Sequence, residues 1–213
     1  MKMFLNKIRT PSKRGSMKSK ILVCVLIALL GLALGVFQKW LDNTALNELP
    51  SIFGILDIGN FFGRFSIWIL LATAISVYSA TALKAAINTF LFFISMVSGY
   101  YLYCNFVVGF LPVSYMMIWI GYSFASFFLA YICWYAKGKG AIAIIISSAV
   151  LGALLSQAVI LTQGIYITYV PEVITFLIGV VILFRKPKEF VIEILLSIVF
   201  AVVFQLFNPF CII

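Results

Sequence analysis

Asp57, Asn60, Phe61 and Arg64 fall at i, i+3, i+4 and i+7, so a helix over this stretch would carry an acid, an amide and a base along one face. Such a face can orient a small polar or charged solute, and the aromatic run around Tyr100 and Tyr103 would supply the apolar walls that small-molecule sites need. The same spacing also suits a local Asp57–Arg64 pair at a membrane interface, and spacing alone does not separate the two. A second group lies near the C-terminus, where Glu189, Glu193, Ser197, Ala201 and Gln205 recur at steps of four. That ridge is expected to turn inward. It places Glu193 about one turn inside an apolar segment, within reach of Lys84 or Lys188, as a paired interfacial acid or a proton or ion carrier. Asn88 and Gln157 are further polar groups within apolar segments, and for Gln157 an interhelical hydrogen bond is the simplest use.

Several chemistries are absent. The chain has no histidine and four widely spaced cysteines, Cys24, Cys104, Cys133 and Cys211, without a CxxC pair. A serine–histidine triad and a histidine-ligated metal are therefore excluded, and no metal or cofactor is expected. No phosphate-binding Gly-Lys-Ser/Thr loop occurs. A carboxylate-only mechanism at Glu193 is the one catalytic alternative to a non-enzymatic role. The cysteines read as small hydrophobes, with a Cys104–Cys211 disulfide as the alternative at the outer side.

The elements that must position these groups follow from composition. Of 213 residues, 64% are hydrophobic and 10% charged, against about 25% charged in soluble domains. The excess apolar surface belongs in a bilayer. The net charge of +9 does not indicate nucleic acid, because seven basic residues precede Ile21 and no groove-reading motif follows them. The expected fold is all-α, a polytopic transmembrane bundle of about seven spans: residues 21–37, 65–79, 85–104, 113–136, 141–161, 171–184 and 190–207. Placing the N-terminus inside puts thirteen of the fifteen Lys and Arg on the inner side and leaves only Lys39 and Arg64 outside. Residues 1–20 are then a basic cytoplasmic tail, residues 21–207 a single bundle with a long outer loop over 38–64, and residues 208–213 a short outer tail. The expected localisation is the cell membrane. Gln163 and Glu172 fall on the same outer side as the Asp57 group.

In the first span, Ala28, Gly31 and Gly35 form a small-residue stripe, with the two glycines in GxxxG spacing. This stripe serves either packing within the bundle or docking to a second membrane protein. In the outer loop, residues 49–62 are apolar enough to lie in the interface or to cover a pocket, and Gly54, Gly59 and Gly63 permit bends.

The basic N-terminal segment, the small-residue first span and the loop over 50–64 resemble the substrate-binding subunits of energy-coupling-factor vitamin transporters. The resemblance implies that Ala28, Gly31 and Gly35 contact a transmembrane coupling subunit, that the 50–64 loop closes over a solute, and that a partner supplies ATP hydrolysis. That family has six spans with both ends inside, whereas the charge pattern here gives seven. In composition alone the chain is also similar to small polytopic membrane proteins of low-GC bacteria. Two functions follow as expectations: a small-solute-binding or transport subunit with an outward recess at Asp57, Asn60, Arg64, Tyr100 and Tyr103, or a non-catalytic assembly, regulatory or immunity factor acting through helix contacts.

Overall fold

A computed structural model describes residues 2–12, 16–162 and 164–207, so Gln163, Cys211 and the expected C-terminal tail over 208–213 lie outside the described residues. Long apolar runs become helices because a helix satisfies every backbone donor and acceptor within its own segment, which lipid cannot do. Among the described residues, five helices are long and apolar enough to cross a membrane: α2 (Met17–Asn43), α6 (Ala82–Tyr103), α7 (Val113–Cys133), α8 (Ala141–Ala158) and α10 (Pro187–Phe207). Two apolar helices, α5 (Phe65–Tyr78) and α9 (Val170–Leu183), have 14 residues each. At about 1.5 Å per residue each is roughly 21 Å long, short of the roughly 30 Å hydrocarbon core. The remaining helices are α1 (Lys2–Ile8), α3 (Ser51–Ile55) and α4 (Ile58–Gly63). The fold is an all-α bundle apart from one two-residue antiparallel pair, β1 (Val159–Ile160) with β2 (Tyr166–Ile167), which closes the connection from α8 to α9.

The glycine stripe decides how α2 sits. A Cβ at Gly31 would collide with the carbonyl oxygen of Phe92, and one at Gly35 with that of Met96. Reciprocally, a Cβ at Gly99 would strike the Leu32 carbonyl, so α2 and α6 lie in backbone contact along three glycines. Ala28 is half-buried beside them and borders a shallow apolar groove with Lys20, Cys24 and Leu91. The opposite face of α2, from Ile21 to Leu32, is exposed and apolar, as a lipid-facing surface should be.

At the other side of the bundle, α8 is enclosed by α5, α9 and α10. Leu151 and Leu154 are fully buried on it, and Gly152 admits α10 closely, since a Cβ there would lie 2.9 Å from the Ser197 carbonyl. The α10 ridge turns inward as its four-residue period requires: Glu193, Ser197 and Ala201 have no exposed surface.

The described part of the basic N-terminal segment is packed chain. Ile8 joins a core cluster with Ala82, Trp134, Tyr135 and Ala143. The Lys139 amide donates to the Ile8 carbonyl at 2.8 Å, and the Ser12 amide to the Ala80 carbonyl at 2.8 Å. Arg9 donates to the carbonyls of Val77 (2.7 Å) and Trp134, and its guanidinium carbon lies 4.3 Å from the Trp134 ring centroid. One arginine thereby ties together the C-terminal ends of α5 and α7.

Candidate functional site

Asp57, Asn60 and Arg64 come together, though not on one continuous helix. Asp57 adopts a left-handed backbone conformation, φ 52° and ψ 41°, that stops α3 and starts α4. Aspartate is among the few residues with a side chain that tolerate this region. Arg64 is extended, φ −92° and ψ 160°, and separates α4 from α5. Between these breaks the side chains close on one another. Asn60 Nδ2 donates to Asp57 Oδ1 at 2.7 Å, and Arg64 Nη1 donates to Asp57 Oδ2 at 2.7 Å. Phe61 points elsewhere and is buried in the core.

Arg64 also pairs through Nε with Glu172 Oε1, and its guanidinium carbon lies 4.1 Å from the Tyr169 ring centroid. Glu172 stands in the first turn of α9 immediately after Pro171, where the proline lacks only a donor the helix would not use and the acid meets the positive end of the helix dipole. It has no exposed surface, and its Oε2 has no hydrogen-bond partner. Below it, Thr175 donates to the Glu172 carbonyl at 2.8 Å and also meets the Ser66 hydroxyl. The polar group therefore fastens α4 and the start of α5 to α9, and both of Arg64's acidic partners are supplied by the chain.

Tyr100 belongs to a separate arrangement. Its hydroxyl donates to Asp42 Oδ2 at 2.8 Å, and Lys39 Nζ lies 5.3 Å from its ring centroid. A cavity of about 120 Å³ opens there between the ends of α2, α6 and α7 and the start of α5. Asp42, Gln38, Tyr100, Tyr101, Tyr115 and Trp119 contribute to its lining, and Trp68 and Gly63 close it toward α4. Asp57, Asn60 and Arg64 do not line it, and Tyr103 is half-buried outside it. The five sequence-derived residues thus divide, with Arg64, Asp57 and Asn60 in a structural cluster and Tyr100 at the recess.

Glu193 faces Arg185 at 3.6 Å, rather than Lys84 or Lys188, and neither of its carboxylate oxygens has a hydrogen-bond partner. Arg185 is nearly buried and donates to the carbonyls of Ala136, Gly138 (3.0 Å) and Ala143 (3.1 Å), which leaves it held by α8 and the preceding turn. Asn88 donates to the Ser79 hydroxyl at 3.2 Å and accepts from the Cys24 thiol at 3.3 Å. Gln205 accepts from the Leu161 amide at 2.8 Å and donates to the carbonyls of Val159 (2.6 Å) and Ser156 (3.1 Å), pinning the hairpin to α10. Gln157 is half-buried on α8.

Sequence reasoning passed over Asp42, Gln38, Tyr115 and Trp119, while Tyr101 lies within the aromatic run marked around Tyr100 and Tyr103. A signal existed in the two i, i+4 pairs, Gln38 with Asp42 at the C-terminal end of one apolar segment and Tyr115 with Trp119 at the N-terminal end of another. Nothing in the spacing linked the pairs to each other.

Helices of this length and apolarity, with lipid-compatible outer faces, define an integral membrane protein. No family model matches this chain, and no curated protein or solved structure is significantly similar to it.

Proposed function

We propose that this protein is a small-solute-binding or transport subunit of the cell membrane, with seven spans, an inner N-terminus, an outer C-terminus and an outward recess at the ends of α2, α6 and α7. The observation that carries the reading is the cavity beside Asp42, Tyr100 and Tyr101, a concave and mostly aromatic space with a few convergent polar groups. Two features support the orientation. Arg9, Lys137, Lys139, Arg185 and Lys188 gather at the end of the bundle opposite the recess, in keeping with the positive-inside bias. The short helices α5 and α9 each run from the recess end, where Arg64 meets Glu172, to the end where Arg9 and Arg185 sit.

The competing reading, a non-catalytic membrane interaction protein, is favoured by the apolar groove along α2 beside Ala28 and Leu91. Gly31 and Gly35 do not contribute to it, since both are in contact with α6. An accessibility experiment separates the two. In a variant whose native cysteines are replaced, Gln38→Cys should react with a small membrane-impermeant thiol reagent added outside intact cells, and a bound solute should slow the reaction. Failure of Gln38→Cys to react while Asn43→Cys does would remove the recess, and reaction only after permeabilisation would reverse the orientation. Co-purification of an ATPase-bearing complex would add the transporter partner, whereas recovery of a membrane partner that protects Ala28→Cys would favour the interaction reading.

A further inference from the structure

The recess presents an acid and aromatic rings, and no basic side chain lines it. Asp42 is exposed at the mouth, with one carboxylate oxygen accepting from Tyr100. Tyr100 and Tyr101 meet edge to face with centroids 5.1 Å apart, and Tyr115 meets Trp119 likewise at 6.0 Å. Ring faces carry negative quadrupole density, so a space bounded by such rings and a carboxylate favours a cation over an anion. Lys39 lies over the Tyr100 ring, and among the described residues it forms no ion pair with Asp42.

A second observation points to a ligand. Tyr101 is 5% exposed and its hydroxyl has no hydrogen-bond partner. A buried phenol ordinarily finds one, because leaving it unmade costs the full desolvation of the group. The cavity that Tyr101 lines would supply that partner if it held a group with N–H donors. Its volume of about 120 Å³ corresponds to roughly four waters at about 30 Å³ each, and thus to a ligand of about four heavy atoms.

We infer that the recess beside Asp42 and Tyr101 binds a short primary alkylammonium group, the N–H donors going to the Asp42 carboxylate and the Tyr101 hydroxyl oxygen and the alkyl carbons lying among the rings. The inference rests on the recess reading above and names its ligand class. Ethanolammonium has the required size and occurs both as a free solute and as the headgroup of phosphatidylethanolamine. For the headgroup source, Lys39 over the Tyr100 ring is a cation available to a phosphate.

The test uses the full-length protein in a zwitterion-free nonionic detergent, titrated with ethanolammonium chloride against sodium chloride of equal ionic strength. Intrinsic tryptophan fluorescence, dominated at the site by Trp119 and Trp68, reports binding. Saturable binding that weakens about tenfold or more in Asp42→Asn and in Tyr101→Phe is expected, since the first removes the charge of the acceptor and the second removes an acceptor outright. Tyr101→Phe should melt at or above the wild-type temperature, because it deletes an unpartnered hydroxyl, so loss of folding does not account for lost binding. Reconstitution into nanodiscs with and without phosphatidylethanolamine distinguishes the sources. Competition of the lipid with free ethanolammonium assigns the headgroup, and its absence assigns the free amine. Binding that is absent, or equal in wild type, Asp42→Asn and Tyr101→Phe, overturns the inference. If Gln38→Cys is still reachable from outside and protected by a neutral or anionic solute, the recess stands and only the ligand class fails.

Discussion

Removing Arg64 should destabilise the bundle far more than loss of a surface ion pair. The guanidinium is partly exposed, with 24% of the side chain accessible, and Asp57 similarly so at 28%. That half of the triad alone would be worth at most about 1 kcal/mol. Glu172 changes the magnitude, because its side chain is 1% exposed and Arg64 is its charged partner. Breaking a buried pair from one side leaves an uncompensated charge and costs about 3 to 5 kcal/mol. The partial exposure of Arg64 lets water reach the pair and places Arg64→Ala at the lower end, about 3 kcal/mol. Equilibrium unfolding in mixed micelles of SDS and a nonionic detergent, followed by tryptophan fluorescence, reads this directly. Glu172→Gln in the Arg64→Ala background should recover most of the loss, since the neutral amide needs no counter-charge. A cycle of the two single variants and the double should give a coupling of about 2 kcal/mol, within the range for residues in one network. A loss below about 1 kcal/mol for Arg64→Ala, or a double variant weaker than Arg64→Ala alone, would refute the role assigned to Glu172.

The same logic at the other end predicts that Arg185→Gln costs about 3 kcal/mol and that Glu193→Gln restores much of it, measured by the same unfolding titration. Gly35→Ala should cost about 1 to 3 kcal/mol by forcing α2 off the Met96 carbonyl, whereas Gly63→Ala, with nothing within 4 Å of the new Cβ, should cost under about 1 kcal/mol. Cysteine at Lys139, which is exposed at the end of the bundle near Arg185, should be shielded from an impermeant outside reagent while cysteine at Asn43 labels. The opposite pattern would invert the topology.

Periodicity made the helical frame of this protein readable. The α10 ridge from Glu193 to Ala201 turned inward because a step of four keeps residues on one helical face, and no tertiary knowledge is needed to see that. The glycines of α2 were readable as a close-packing face, but the surface they meet was not: Gly99 lies 64 residues beyond Gly35, and its reciprocal fit to Leu32 emerges only when both helices are docked. The Asp57, Asn60 and Arg64 spacing brought the correct residues together through the wrong geometry. A regular helix would have aligned them, whereas the chain breaks at Asp57 and Arg64 and lets hydrogen bonds close the group instead.

What local spacing could not supply was the identity of partners distant in sequence, and those partners change the chemistry. Taken with Asp57 alone, Arg64 is a cation with capacity to spare and a natural anchor for an anionic solute. Glu172, 108 residues away, pairs with Nε and converts the arginine into a clamp between α4 and α9, with Nη2 left without a hydrogen-bond partner. The acid left in a recess is then Asp42, whose partner Tyr100 is 58 residues distant. Two carboxylates on one arginine and one carboxylate among aromatic rings are different electrostatic environments. The first holds one cation between two acids, and the second attracts positive charge with no basic residue lining its walls. The recess at this end of the bundle is therefore acidic and aromatic, whereas the linear pattern around Arg64 advertises a basic one.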